Sequence, residues 1–199
     1  MSMYQKILCY GDSNTYGYDP RSYFGGQYPE NVRWTVLLER HGWQVFNRGE
    51  NGRSIPQRKW DVDADIQTIK SLRPDIVTIM LGSNDILQDT SLSAEDCALR
   101  MERFMQILLE QNCSCKYLLI ARPPMTLGAW VSEKELIKTS QQLGAYYRTA
   151  TQRLSINFAD AGEWNISISF DGVHFSEKGH LTFAKRLHET LAELSGGVV

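Results

Sequence analysis

Cysteine is scarce in this chain: Cys9, Cys97, Cys113 and Cys115 are the whole complement of its 199 residues. Four thiols so unevenly spaced exclude the disulfide framework on which small secreted domains depend. The close pair in Cys113-Ser114-Cys115 lacks the second pair of ligands that a structural zinc site needs. Positive charge is also in short supply, with 21 Lys and Arg against 23 Asp and Glu and a formal net charge of −2. No basic surface for nucleic acid or anionic lipid is expected. A membrane-length apolar run is missing too, and the N-terminal MSMYQKILCY holds one lysine and a short apolar stretch where a signal peptide would carry a longer one. These absences point to a cytoplasmic protein with free thiols, whose partner is a small molecule or another copy of itself.

With 42% apolar and 22% charged residues the chain has the composition of a folded domain. It shows no linker, repeat or low-complexity tract, so 1–199 reads as a single domain large enough to bury a core. Apolar runs recur at 6–10 (KILCY), 43–47 (WQVFN), 75–81 (DIVTIML), 116–121 (KYLLIA) and 155–161 (SINFADA). Most are continuous and not alternating, as in strands covered by helices on both faces. Segments of helical period lie between them, at 31–42, 56–72, 93–112, 131–154 and 176–194. In the last, Leu181, Ala184, Leu187, Leu191 and Leu194 are expected to share one face, with Ser176 as N-cap. Strand and helix alternating five times predict a three-layer α/β/α domain of flavodoxin-like type. Its five-stranded parallel sheet has the expected order 2-1-3-4-5.

In such a fold ligands bind outside the carboxyl ends of the strands, and four of the five ends carry small or polar residues. The first is followed by GDSNTYG (11–17), the second by NRGENGRS (47–54), the third by GSND (82–85), and the fifth leads to DGVH (171–174). Ser13, in the first, is a nucleophile only where a base removes its proton, and otherwise a helix cap. Of the four histidines, His41, His180 and His188 suit solvated or packed roles. His174 stands just before a helix, with Asp171 three residues upstream and Gly172 letting the chain fold back. Asp171 is thus placed to orient the imidazole, although DGVH alone also reads as an ordinary turn. Asn84 offers a side-chain amide and Gly52 a bare backbone N–H to a developing oxyanion, against the simpler readings of an Asx turn and a positive-φ turn.

Ser in GDS, Gly in the second loop, Asn in GSND and His in DGVH, in that chain order, resemble the four blocks of the SGNH hydrolases, the GDSL-type esterases and lipases. ILCYGDSNTYGYDP, VRWTVLLE and MLGSNDIL are similar to the small bacterial arylesterase branch, some members of which also transfer acyl groups. The resemblance implies a serine hydrolase with Ser13 as nucleophile, His174 as base and Asp171 as orienter. It implies an oxyanion hole of the Ser13 and Gly52 N–H groups and the Asn84 side chain, and no metal or organic cofactor. Asp12 takes a structural role. Asn14 departs from the family, many members of which carry leucine after the serine.

The expected substrates are small soluble carboxylic esters with short acyl or aryl parts. Carbohydrate O-acetyl groups, lysophospholipids and thioesters are the alternatives within catalysis. A flavodoxin-like phosphate- or flavin-binding module is the alternative outside it, with the GDSNTYG loop as a phosphate cradle. Tyr16, Tyr18, Trp34 and Trp130 are candidates for the pocket wall, and the SYFGGQYPE stretch (22–30) for contacts of a homo-oligomer.

Overall fold

Leu8 and Tyr10 point to one side of the first strand, and Ile7 and Cys9 to the other, and all four are buried. The computed structural model, which describes residues 5–22 and 24–196, shows why both faces are apolar. Met1–Tyr4 of the N-terminal stretch and Tyr23 of the 22–30 stretch lie outside the described residues. Five parallel strands, β1 (Lys6–Gly11), β2 (Gln44–Gly49), β3 (Ile76–Met80), β4 (Lys116–Ala121) and β5 (Asn157–Asp160), form one sheet of order β2-β1-β3-β4-β5. This is the predicted order.

Helices α1 (Ser13–Tyr16) and α2 (Trp34–Arg40) precede β2, and α3 (Lys59–Leu72) precedes β3. Then come α4 (Ser83–Gln88), α5 (Ala94–Leu109), α6 (Lys134–Leu154), a 3-10 turn (Ala161–Trp164) after β5, and α7 (Glu177–Leu194). Leu8, Tyr10, Val77, Ile79 and Leu119 pack beneath α3, α5 and α6, where Val62, Ile66, Met101, Phe104, Leu143 and Tyr147 meet them. The opposite side chains, Ile7, Cys9, Ile76, Met80, Leu118 and Ile120, pack beneath Trp34 and Leu38 of α2 and Phe183, Leu187 and Leu191 of α7. Two cores and one sheet make the three layers.

Ser176 caps α7 as predicted, its side chain accepting from the Gly179 N–H. The apolar face of that helix is rotated from the prediction. Ala184, Leu187 and Leu191 are buried, but Leu181 is 62% exposed, and His180 and Phe183 complete the face. At about 100° per residue Leu181 lies about 120° from Leu187, whereas His180 lies about 20° from it. Two further differences matter for the site: β2 runs on to Gly49, and the short helices α1 and α4 begin directly after β1 and β3. The register pairs Gly11 with both Gly49 and Met80, so the ends of β2, β1 and β3 stand at one level.

Candidate active site

At that level the strand order reverses, and Ser13 opens the first turn beyond β1. Asp12 caps this turn: its carboxylate accepts from the Asn14 N–H at 2.9 Å and its carbonyl from Thr15 and Tyr16 at 3.0 and 2.9 Å. The structural role expected of Asp12 is the role it has. A Cβ on Gly11 would stand 2.1 Å from Thr15 Oγ1, so glycine is required where the turn folds back on the strand.

The Ser13 hydroxyl lies 2.8 Å from His174 Nε2, joining residues 161 apart in the chain. His174 Nδ1 lies 2.6 Å from Asp171 Oδ2. The other carboxylate oxygen accepts from the N–H groups of Val173 and His174 at 2.9 and 3.0 Å, in a loop that Gly172 reverses at φ 84°. Both Asp171 and His174 are buried. Burial pushes the Asp171 carboxyl up, but the hydrogen bonds from the His174 ring and the two N–H groups outweigh it and hold the carboxyl below its ordinary value. A carboxylate facing Nδ1 assigns the proton to that nitrogen, which leaves Nε2 to accept from the hydroxyl.

On the other side of Ser13 stands Gly52, at φ 76°, its missing side chain leaving open space. No acceptor among the described residues engages its N–H or that of Ser13. Asn84, the second residue of α4, donates from Nδ2 to the Arg53 carbonyl at 2.9 Å, which leaves one amide hydrogen for the cleft. The loop is fastened by two residues that the sequence reading passed over. Buried Asp85 accepts from the Ile55 N–H at 2.9 Å and approaches Arg100 at 3.5 Å, burial raising its carboxyl above the ordinary value. Arg53 stacks on the Tyr10 ring at 4.2 Å and donates to the Gly11 carbonyl at 3.1 Å. Asp85 was visible as the last residue of GSND. Nothing local in the sequence marks Arg53.

Ser13, His174, Gly52 and Asn84 line one cavity of about 240 Å³, walled by Tyr18, Asn51, Leu87, Trp130 and Val173. The Tyr18 and Trp130 rings stand 4.6 and 5.0 Å from the imidazole, the second edge-on. Trp130 is held there by its backbone N–H, which donates to the Asp171 carbonyl at 3.0 Å. Two of the proposed wall residues lie elsewhere. Trp34 is core, packed on Phe183 with its indole N–H on the Asn14 carbonyl, because α2 turns that face onto the sheet. Tyr16 closes α1 and its carbonyl accepts from Gln27, outside the cavity. His41, exposed, stacks on the half-buried His188 at 4.3 Å, and His180 is buried against Tyr28 and Phe175, so the three stand apart from the cleft in solvated or packed positions. A groove of about 470 Å³ between α5 and α6 contains none of these groups.

A hydroxyl, an imidazole and a buried carboxylate in line at the carboxyl end of a doubly wound sheet define the class of serine hydrolases. The sequence profile of the GDSL-like lipase/acylhydrolase family matches residues 9–181, and the chain belongs to that family. Among curated protein sequences none matches. Among solved structures the chain is similar to the native aryl esterase of M. smegmatis, with 24% identity, a TM-score of 0.82, and coverage of 96% of this chain and 99% of that one. The inhibitor-bound form of that esterase gives 25%, 0.79, 96% and 99%. A carbohydrate acetylesterase from Sinorhizobium meliloti gives 22%, 0.82, 96% and 99%.

Proposed function

We propose that the chain hydrolyses small soluble carboxylic esters, with short-chain acyl or aryl parts, through an acyl-Ser13 intermediate. The observation that carries this reading is the continuous Ser13–His174–Asp171 relay opening on a small cavity with apolar walls. As Ser13 Oγ attacks the ester carbonyl carbon, its proton passes to His174 Nε2, and the carbonyl electron pair moves to oxygen. The Ser13 and Gly52 N–H groups and the Asn84 amide receive that oxyanion. The C–O bond of the leaving alcohol then breaks, and the proton on Nε2 goes to the departing oxygen. Water repeats the sequence on the acyl-enzyme, releasing the acid and restoring the Ser13 hydroxyl. An alcohol in place of water would give acyl transfer by the same steps.

Asp171 stays ionised and favours the imidazolium that forms midway. Leu87, Val173, Tyr18 and Trp130 suit a short acyl chain or a ring, and about 240 Å³ leaves little room for a long one. Trp130, 54% exposed at the rim, would stack on a sugar ring, which keeps acetylated carbohydrates as the second reading. The reading places the enzyme in the cytoplasm, supported by four free thiols; no described helix is long and apolar enough to cross a membrane. The test is a panel of p-nitrophenyl, naphthyl and sugar acetates extended from acetate to octanoate. The proposal expects kcat/KM to peak at two to four acyl carbons, and a peak at octanoate would overturn it.

A further inference from the structure

Arg122 is a buried guanidinium that the relay does not use. It follows β4 directly, opening the segment Arg122-Pro123-Pro124-Met125, and is 4% exposed. Its Nη2 donates to the Val173 carbonyl at 2.8 Å, immediately before His174 in the chain. Asp12 and Asp171, both buried, are the carboxylates whose charge acts on it. Its Nε and Nη1 have no hydrogen-bond partner among the described residues. Burying a guanidinium this way costs free energy that one bond to a carbonyl does not return. Its contribution lies in what it does to its neighbours.

The same carbonyl has a second donor. Asn14 Nδ2 reaches it at 3.4 Å while Asn14 Oδ1 accepts from the Phe175 N–H at 2.8 Å. The peptide groups on both sides of His174 are thus fixed from outside their loop, while Asp171 holds the Val173 and His174 N–H groups from within. Asn14 stands where many SGNH hydrolases carry leucine, and it is neutral, so it supplies geometry. Arg122 supplies geometry and a charge.

We propose that Arg122 is a positioning residue for the catalytic base, pinning the Val173 carbonyl and setting the charge balance in which the Asp171–His174 pair works. The proposal rests on the reading of Ser13, His174 and Asp171 as a triad. Asp171 holds the imidazole from its own loop at 2.6 Å, the Tyr18 ring stands 4.6 Å from it, and Arg122 acts on Asp171 and on the Val173 carbonyl from beyond β4. The buried guanidinium stands as the counter-charge of Asp12 and Asp171 while it holds the carbonyl of the residue before His174. Without it that carbonyl keeps only the longer bond from Asn14, and the imidazole is less firmly set between Ser13 and Asp171.

The test measures kcat and KM for p-nitrophenyl acetate in Arg122→Met, Arg122→Gln, Arg122→Lys and Asn14→Leu, each checked for folding by circular dichroism. Both neutral Arg122 variants are expected to lower kcat at least about tenfold with KM within about twofold. Arg122→Lys, which keeps the charge, and Asn14→Leu, which keeps the Arg122 bond, are expected to lower kcat by less. An unchanged kcat in the neutral variants, or an effect confined to KM, overturns the assignment. Failure of both neutral variants to fold also overturns it, since the guanidinium would then hold the fold and not the base. Ser13→Ala separates the two claims: residual activity there defeats the triad reading itself. A dead Ser13→Ala beside Arg122 variants that match the wild type defeats the Arg122 assignment alone.

Discussion

Each group in the relay handles charge differently, and that sets the size of its loss. Ser13→Ala and His174→Ala should each lower kcat on the order of 10⁴- to 10⁶-fold, because either change leaves no activated nucleophile. Asp171→Asn should fall short of that, since the imidazole stays but its tautomer and protonated form lose support. Asn84→Ala should cost roughly 10² to 10³ in kcat with KM nearly unchanged, because in the proposed mechanism its free hydrogen binds the oxyanion and not the ground-state carbonyl. A KM effect as large as the kcat effect would move Asn84 to substrate binding. His180 gives a separate expectation at the same scale. Burial, with the positive charge of neighbouring groups, pushes its imidazole down to about 3. Between that value and the unfolded reference of about 6.5, the unfolded chain takes up a proton that the folded chain refuses. Stability is therefore full above pH 6.5 and falls as pH drops, by about 2 kcal/mol between pH 7 and pH 5 from this residue. His180→Asn, which keeps an acceptor for the Trp34 backbone N–H, should flatten that slope in denaturant titrations at the two pH values.

Two elements of four and six residues, α1 and α4, carry Ser13 and Asn84, and neither was legible as a helix. Ser, Asn, Thr and Asp bond to nearby backbone and read as turns, and one turn of helix is too short to show a period. The motifs were legible nonetheless, because the chemistry needs those residue types wherever the backbone places them. Asp85 shows what stays hidden: its role is to hold the Ile55 N–H, 30 residues away, and so to keep the Gly52 loop beside α4. Asp85→Ala should cost about 1–3 kcal/mol by leaving that N–H unpaired. It should also lower kcat at least about tenfold as the oxyanion donors drift apart. Thermal unfolding and steady-state rates on one preparation read both, and a stability loss with wild-type kcat would free the loop from Asp85. Leu181 erred for a related reason: leucine spacing alone pointed to its face, and the buried His180 beside it was not counted as apolar surface.

For the molecule as a whole, five apolar runs separated by helical segments were enough to predict the sheet order, since right-handed crossovers leave few arrangements of five parallel strands. The wall of the pocket was not predictable in the same way. Trp34 and Trp130 are equally apolar in sequence, and only the packing of α2 on the sheet sends one into the core and leaves the other at the cleft. Phe183 marks how much stability that second core holds: buried against Trp34, Trp164 and Phe175, its change to alanine should cost about 3–5 kcal/mol in chemical denaturation. Leu127, Trp130 and Phe170 are exposed near the cleft, and a homo-oligomer that covers them is our expectation. Sedimentation velocity at micromolar concentration should show a species larger than the monomer, and a monomer alone would end that expectation. The central claim is an acyl group carried on Ser13. Rapid acid quenching during turnover of p-nitrophenyl acetate, followed by peptide mass spectrometry, should find one acetyl on the peptide containing Ser13, and none in Ser13→Ala. Acetylation of another residue in step with turnover, or turnover undiminished in Ser13→Ala, would contradict the account.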